Sequence, residues 1–285
     1  MITRFDRLRR SVAACAIAIG ISGAAALAGE DASPWDGDSR GAIRLIAGSW
    51  QQRASAPMRA GIEIRLKPGW HTYWRYPGDA GVPPHFDFAG SRNVQAVTVL
   101  WPAPRRTVEQ GLSVIGYTED VILPLSIEPR SRAEPVTLRF KAEYALCEKL
   151  CLPAQGAAQL ALGEGNSPWD AVLAAAQSRV PKKRALGEAG ELAIRSVRRE
   201  GNAPRSRVVI EVAAPAGAGV DLFAEGPGPD WALPLPVADG PAAGGLQRFA
   251  FDLDGAPPGA KYEGAVITIT AVAGKNAIEV FAPLD

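Results

Sequence analysis

Two cysteines four residues apart, Cys147 and Cys151 in the stretch YALCEKLCLP, are the side chains of this 285-residue sequence best suited to chemistry. A sulfur pair at that spacing has three uses. It can close a structural disulfide, hold a soft ion such as Cu(I) with a distant histidine, or exchange electrons with the thiols of another protein. For the metal alternative the histidines at hand are His71 and His85.

Chain geometry narrows the possibilities. A strand pattern runs directly into Cys147, and four further strand residues would part the two Cα atoms by about 13 Å. A disulfide needs them within about 7 Å. The chain must therefore turn within Glu148-Lys149-Leu150, which places the pair on an exposed rim. As a staple the bond is weak: a five-residue loop is worth about 2 kcal/mol, against about 4.7 kcal/mol for a hundred-residue loop. Copper chaperones that use a CxxxC motif carry it at the head of a helix in a thioredoxin fold, whereas here Leu152-Pro153 and a further strand follow. Exchange asks only for one accessible sulfur and a second close enough to resolve the mixed disulfide. Lys149 would favour a thiolate and Glu148 would oppose it.

The elements that must position these sulfurs are strands. Ile62, Ile64 and Leu66 alternate with Glu63, Arg65 and Lys67, and Val136, Leu138, Phe140, Ala142 and Tyr144 alternate with polar neighbours. Further strands are expected at 42–47, 85–88, 94–100, 121–127 and 155–162, separated by Pro/Gly clusters. One helix is expected, with Ser167 as N-cap, Pro168 at the first helical position and Asp170 three residues after the cap. It should run to Val180 and end at Pro181 and the basic Lys182-Lys183-Arg184. Strand patterns resume at 191–198, 207–212, 220–224, 247–253, 265–272 and 277–281, in a half without Cys or His. Short strands at this spacing predict an all-β protein of two antiparallel β-sandwiches joined by a short α-helix. The expected boundaries are 29–165 for the first sandwich, 166–188 for the connector and 189–285 for the second.

The first residues address the chain for export. Arg4, Arg7, Arg9 and Arg10 precede an apolar stretch at 11–27, and Ala26-Leu27-Ala28 fits a cleavage site, so 1–28 reads as a signal peptide. Cys15 follows the arginines almost at once and belongs to the discarded segment. Removal takes four arginines and Asp6, so the balance of 31 basic and 30 acidic residues becomes 27 and 29, a charge of about −2. No basic run points to nucleic acid, and no later segment is apolar enough to cross a membrane.

Trp101-Pro102, then GYTEDVILPL at 116–125, then the strand into YALCEKLCLP together resemble the N-terminal periplasmic domain of DsbD, the thiol–disulfide interchange protein. The upstream GWHTYWRYPGDAG at 69–81 fits the ScsB-like branch, linked to copper tolerance. The resemblance implies an immunoglobulin-like first domain with the Cys147–Cys151 disulfide at one end, Cys151 forming the mixed disulfide and Cys147 resolving it. It implies protein-disulfide reductase activity in the periplasm, with no cofactor and no metal. The implied partners are periplasmic thioredoxin-like oxidoreductases, serving disulfide isomerisation, cytochrome c biogenesis or copper tolerance. The family's membrane conduit is not in these residues, so a separately encoded membrane electron carrier is expected to supply electrons. A cap loop over the pair would correspond to about 110–117. Familiar members have five residues between the cysteines and an aromatic cap, whereas this chain has three residues and offers Leu112, Val114 and Ile115.

Trp70, Tyr73, Trp74 and Tyr76 form the densest aromatic cluster and read first as sandwich core, second as a face beside the cysteines. His71 reads as a structural histidine, and Tyr117 and Tyr144 as packing residues that could flank the pair. Arg75 and Asp79 are expected to shape a turn.

Overall fold

The computed structural model describes residues 31–51, 56–109, 111–201, 206–241 and 244–284. The expected signal peptide, with Cys15, and Gln110 at the start of the expected cap lie outside the described residues.

The sulfur-bearing half is built on strands β1 (Asp36–Gly37), β2 (Gly41–Ala47), β3 (Met58–Leu66), β4 (Thr72–Gly78), β5 (His85–Asp87) and β6 (Val94–Val99). It continues with β7 (Arg105–Glu109), β8 (Leu112–Tyr117), β9 (Val121–Pro129), β10 (Val136–Cys147) and β11 (Cys151–Leu162). A five-stranded sheet, β1-β2-β3-β9-β6, faces a three-stranded sheet, β11-β10-β5. The alternation expected for β10 is observed: Val136, Leu138, Phe140, Ala142 and Tyr144 are buried, while Arg139, Lys141 and Glu143 are exposed. The buried set packs with Ile43, Ile62, Ile64, Leu123 and Leu125 of the opposite sheet in one core. Burying such apolar surface is the main source of stability here.

β10 and β11 form a hairpin paired without a break through twelve positions, from Val136↔Leu162 to Cys147↔Cys151. The second strand therefore begins at Cys151, earlier than the expected residue 155. Across the end of this hairpin lies a third sheet, β4-β8-β7, none of whose strands was expected from periodicity. β4 and β8 approach so closely that a Cβ at Gly116 would stand 2.1 Å from the Thr72 carbonyl oxygen. Only glycine fits there.

The connector is helix α1 (Asp170–Ser178). It starts two residues later than expected because Asp170 is engaged elsewhere: its carboxylate accepts from the Ser49 amide at 2.9 Å and from the Ser49 hydroxyl. The Ser167 hydroxyl donates to the Ala47 carbonyl and accepts from the Trp169 amide. Ser167 thus keeps a cap-like bond to the Trp169 amide, while its donation to Ala47 and the Asp170–Ser49 pairing are long-range. The basic segment expected to close the helix is instead strand β12 (Lys182–Arg184), pairing in parallel with the last strand.

The remaining strands are β13 (Ala193–Glu200), β14 (Arg207–Ala213), β15 (Asp221–Glu225), β16 (Val237–Ala238), β17 (Leu246–Asp252), β18 (Val266–Ala273) and β19 (Asn276–Pro283). Sheets β12-β19-β18-β15 and β13-β14-β17-β16 enclose a second core that includes Ile210, Phe251, Ile269 and Val280. Phe223 of β15 and Leu235 turn away from that core and join the first one. The observed architecture is thus the all-β, sandwich-based fold that the sequence predicts.

Candidate redox site

Cys147 ends β10, Cys151 begins β11, and they form a disulfide with Cα atoms 4.1 Å apart. The expected turn is a tight loop of Glu148, Lys149 and Leu150, with the Glu148 amide donating to the Leu150 carbonyl at 3.3 Å. The pair is the last rung of the ladder, and at that rung opposed Cα atoms are already within bonding reach. The exposed rim holds for one sulfur-bearing residue only. Cys151 is exposed, whereas Cys147 is 1% exposed.

The cover over Cys147 comes from the third sheet. Tyr73, Val114, Ala145 and Cys147 form a small apolar cluster of their own. The Tyr73 hydroxyl lies 2.9 Å from Cys151 Sγ and 3.2 Å from Cys147 Sγ. Disulfide sulfurs carry no proton, so the hydroxyl is the donor. Burial, reinforced by the charge of Glu109, raises the Tyr73 pKa and keeps the phenol protonated. The loop after β4 fixes the ring. A Cβ at Gly81 would stand 2.5 Å from a Tyr73 ring carbon, and Gly81 has φ +133°, a conformation open to glycine. Asp79 ties this loop to the cap: its carboxylate accepts from the Ser113 amide, and its own amide donates to the Ser113 carbonyl, both at 2.9 Å.

His71 sits directly beside Cys147, their main chains exchanging bonds of 2.9 and 3.0 Å. Its ring meets Tyr73 edge-on, with centroids 5.7 Å apart. Nε2 is 3.2 Å from a Glu109 carboxylate oxygen, poorly aligned for a hydrogen bond. Burial lowers the His71 pKa and the Glu109 charge offsets only part of that, so the ring is neutral near pH 7.

The other expected flanking residues separate. Val114 of the expected cap touches the covered sulfur's cluster, while Leu112, 47% exposed, sits at the hairpin tip. Ile115, Trp70 and Tyr117 point into the main core, and the Tyr117 hydroxyl donates to the Pro102 carbonyl at 2.8 Å. Tyr144 belongs to that core too, yet it also borders a trough beside Cys151 with Val82, Pro83, His85, Glu143 and Pro153. Burial and then the nearby Asp38 and Asp36 push its pKa up to about 12. Among the described residues, no three His, Cys, Asp or Glu side chains group as metal ligands. Glu109 is a site residue that sequence reasoning did not single out, and Tyr73 was read first as sandwich core and only second as part of a face beside the cysteines. The signal for Tyr73 was the aromatic run of 70–76 ending in Pro-Gly, which marks an extended segment without saying which of its rings faces the sulfurs.

The fold and site define an immunoglobulin-like sandwich protein with a disulfide at a hairpin tip, half covered by a small extra sheet. Residues 47–162 match the family model for the N-terminal domain of the thiol:disulfide interchange protein DsbD. The chain is similar to the N-terminal periplasmic domain of ScsB from Proteus mirabilis, with a TM-score of 0.69 at 18% identity. That alignment covers 89% of this chain and 98% of the other, and at such identity it speaks for the fold. The resemblance drawn from the cysteine motif and its flanking strands is thereby borne out, for the DsbD-type segment and for the two-sandwich architecture. No curated protein matches the chain. Among the described residues, no helix is long and apolar enough to cross a membrane.

Proposed function

We propose that the chain is a periplasmic thiol–disulfide exchange protein in which Cys151 makes the bond to the partner and Cys147 resolves it. The DsbD-type match supports the general role. The observation that carries the assignment is the inequality of the two cysteines, one exposed and one buried beneath a hydroxyl donor.

In the reductive half, a partner thiolate attacks Cys151 Sγ, the Cys147–Cys151 bond breaks, and Cys147 leaves as a thiolate. The Tyr73 hydroxyl is in place to donate to that developing charge, an interaction stronger than its bond to a neutral sulfur. The partner's second thiolate then attacks its own sulfur in the mixed disulfide and releases Cys151. Two electrons have entered, two protons follow from solvent, and the partner is left oxidised. In the other half, Cys151 attacks a substrate disulfide and Cys147 displaces the substrate thiolate by re-forming the original bond.

The partners we propose are thioredoxin-like oxidoreductases, with a membrane electron carrier as donor. The surface suits a protein partner. Val82, Leu112 and Leu150 are exposed large apolar side chains carried by the three segments around the disulfide, and Leu150 is 76% exposed. Exposed apolar groups clustered at one place mark contact surfaces.

The test is capture. Cys147→Ala protein, mixed with an oxidised thioredoxin-like protein, should accumulate a reducible cross-link through Cys151, and absence of any cross-link would overturn the role assignment. The reduction potential separates this reading from a permanent staple, which would lie below about −300 mV.

A further inference from the structure

Among the described residues, the side chains that pack on the disulfide from outside the cysteine hairpin, Tyr73 and Val114, are carried by β4 and the β7–β8 hairpin, and the loop after β4 holds the Tyr73 ring. Among the described residues, the polar ties of that sheet to the cysteine hairpin are few: the His71–Cys147 bridge, the Thr72 hydroxyl donating to the Ala145 carbonyl at 2.9 Å, and the Tyr73 hydroxyl at the two sulfurs. Its own β4–β8 pairing is broken by a register irregularity between Tyr73 and Gly78. Taken alone, this is a loosely held cover.

The opposite side of the same strands is fastened to the second sandwich. Trp74, fully buried next to Tyr73, packs on Phe223 with ring centroids 5.6 Å apart. The Arg75 guanidinium bonds Glu225 at 2.6 and 2.9 Å and Glu279 at 2.6 Å. These three side chains are only 25%, 18% and 11% exposed. The Tyr76 hydroxyl donates to the Leu233 carbonyl. On β7, Arg106 donates to the Leu222 carbonyl at 2.7 Å, lies 3.2 Å from Asp221, and stands over the Phe223 ring. Arg106 is three strand residues, about 10 Å, from Glu109 at the cap. Arg75 therefore does more than shape a turn: it bridges the two sandwiches.

We infer that the second sandwich is a brace for the redox site, with Arg75 and Arg106 as positioning residues that hold Tyr73 and Val114 over Cys147 and Glu109 beside His71. A strand gripped from behind cannot swing away from the sulfurs without breaking paired, largely buried charges, and such pairs are costly to break one partner at a time. Their planar forks make them poor candidates for replacement by lysine. The extra domain thus regulates access to Cys147, leaving Cys151 open. The inference rests on the exchange reading for its purpose but not for its test.

The test measures the rate at which iodoacetamide alkylates Cys147 in a Cys151→Ala chain, where Cys147 is a free thiol and the rate reads access to it alone. Arg106→Gln and the double variant Glu225→Gln/Glu279→Gln, each in that background, should be alkylated at least fivefold faster than the Cys151→Ala chain. Amide hydrogen exchange at His71 and Cys147 should accelerate in parallel. Rates within twofold of that reference, with exchange at Leu222 and Leu233 showing a loosened interface, would overturn the brace. Should those variants fail to fold, Tyr76→Phe loses one interface contact and carries the test: faster alkylation supports the inference, and an unchanged rate sinks it. A chain that never captures a partner through Cys151 removes the exchange reading and leaves this measurement intact.

Discussion

The two sandwiches end in comparable hairpins and use them differently. β18 and β19 pair continuously from Val266↔Pro283 to Ala273↔Asn276 and close on a glycine-led turn. β10 and β11 pair just as regularly, but their last rung is a disulfide, and a third sheet lies over one side of it. A regular sandwich offers a hairpin tip that treats both its end residues alike. The added sheet makes the tip unequal, hiding one sulfur and leaving its partner in reach. The inequality of the two cysteines is thus a property of the cover rather than of the sandwich.

That contrast can be broken by experiment, beginning with the largest effect. Cys151→Ala introduced into Cys147→Ala protein should abolish partner capture altogether, as judged by non-reducing electrophoresis. Ile269→Ala in the second core should lower stability by about 2–5 kcal/mol in urea unfolding, while Cys151 in the folded protein keeps its reactivity. Gly81→Ala should cost about 1–3 kcal/mol through backbone strain and displacement of the Tyr73 ring. Unlike Ile269→Ala, it should also change the rate of disulfide reduction. Tyr73→Phe removes a hydrogen bond to the leaving thiolate worth about 1.5 kcal/mol, so reduction by dithiothreitol should slow about tenfold with little loss of stability.

The smallest effect is on pH dependence. Burial lowers the His71 pKa below its ordinary 6.5, with Glu109 opposing. The neutral ring is the form the fold prefers, so this contribution is complete above about pH 6.5 and is lost as pH falls toward the depressed folded value. His71→Gln should flatten the decline in urea midpoint between pH 7 and pH 5; an unchanged slope would assign the decline to other groups.

The regular strands were legible in the sequence because each has one wet face. Val136 to Tyr144 alternates cleanly since Arg139, Lys141 and Glu143 look outward. β4 carries three successive buried residues, Thr72, Tyr73 and Trp74, and β8 carries four, from Val114 to Tyr117. The cysteine tip covers one side of that sheet and the second sandwich the other, so no period of two survives. The site is therefore assembled from the segments with the weakest local signal. The cysteines, and the turn between them, followed from spacing and reach. The Tyr73 hydroxyl's contact with Cys147 did not, because it joins residues 74 apart, and the aromatic cluster was read only second as a face beside the cysteines. Arg75 looked like a turn residue for a similar reason, since its partners lie 150 and 204 positions away. The helix start was misplaced by the same kind of long-range competition, Asp170 having been taken by Ser49.

The twelve-rung ladder behind the cysteines has a kinetic consequence. Its hydrogen bonds do not depend on the sulfur bond, so cutting that bond leaves Cys147 and Cys151 facing each other at the same rung. Their effective concentration toward one another stays high throughout a cycle. A mixed disulfide at Cys151 is then a short-lived species, since the displacing thiolate needs no search and no refolding to reach it. On the proposed exchange role, a partner need dock only briefly, which suits a contact built from a few exposed apolar side chains.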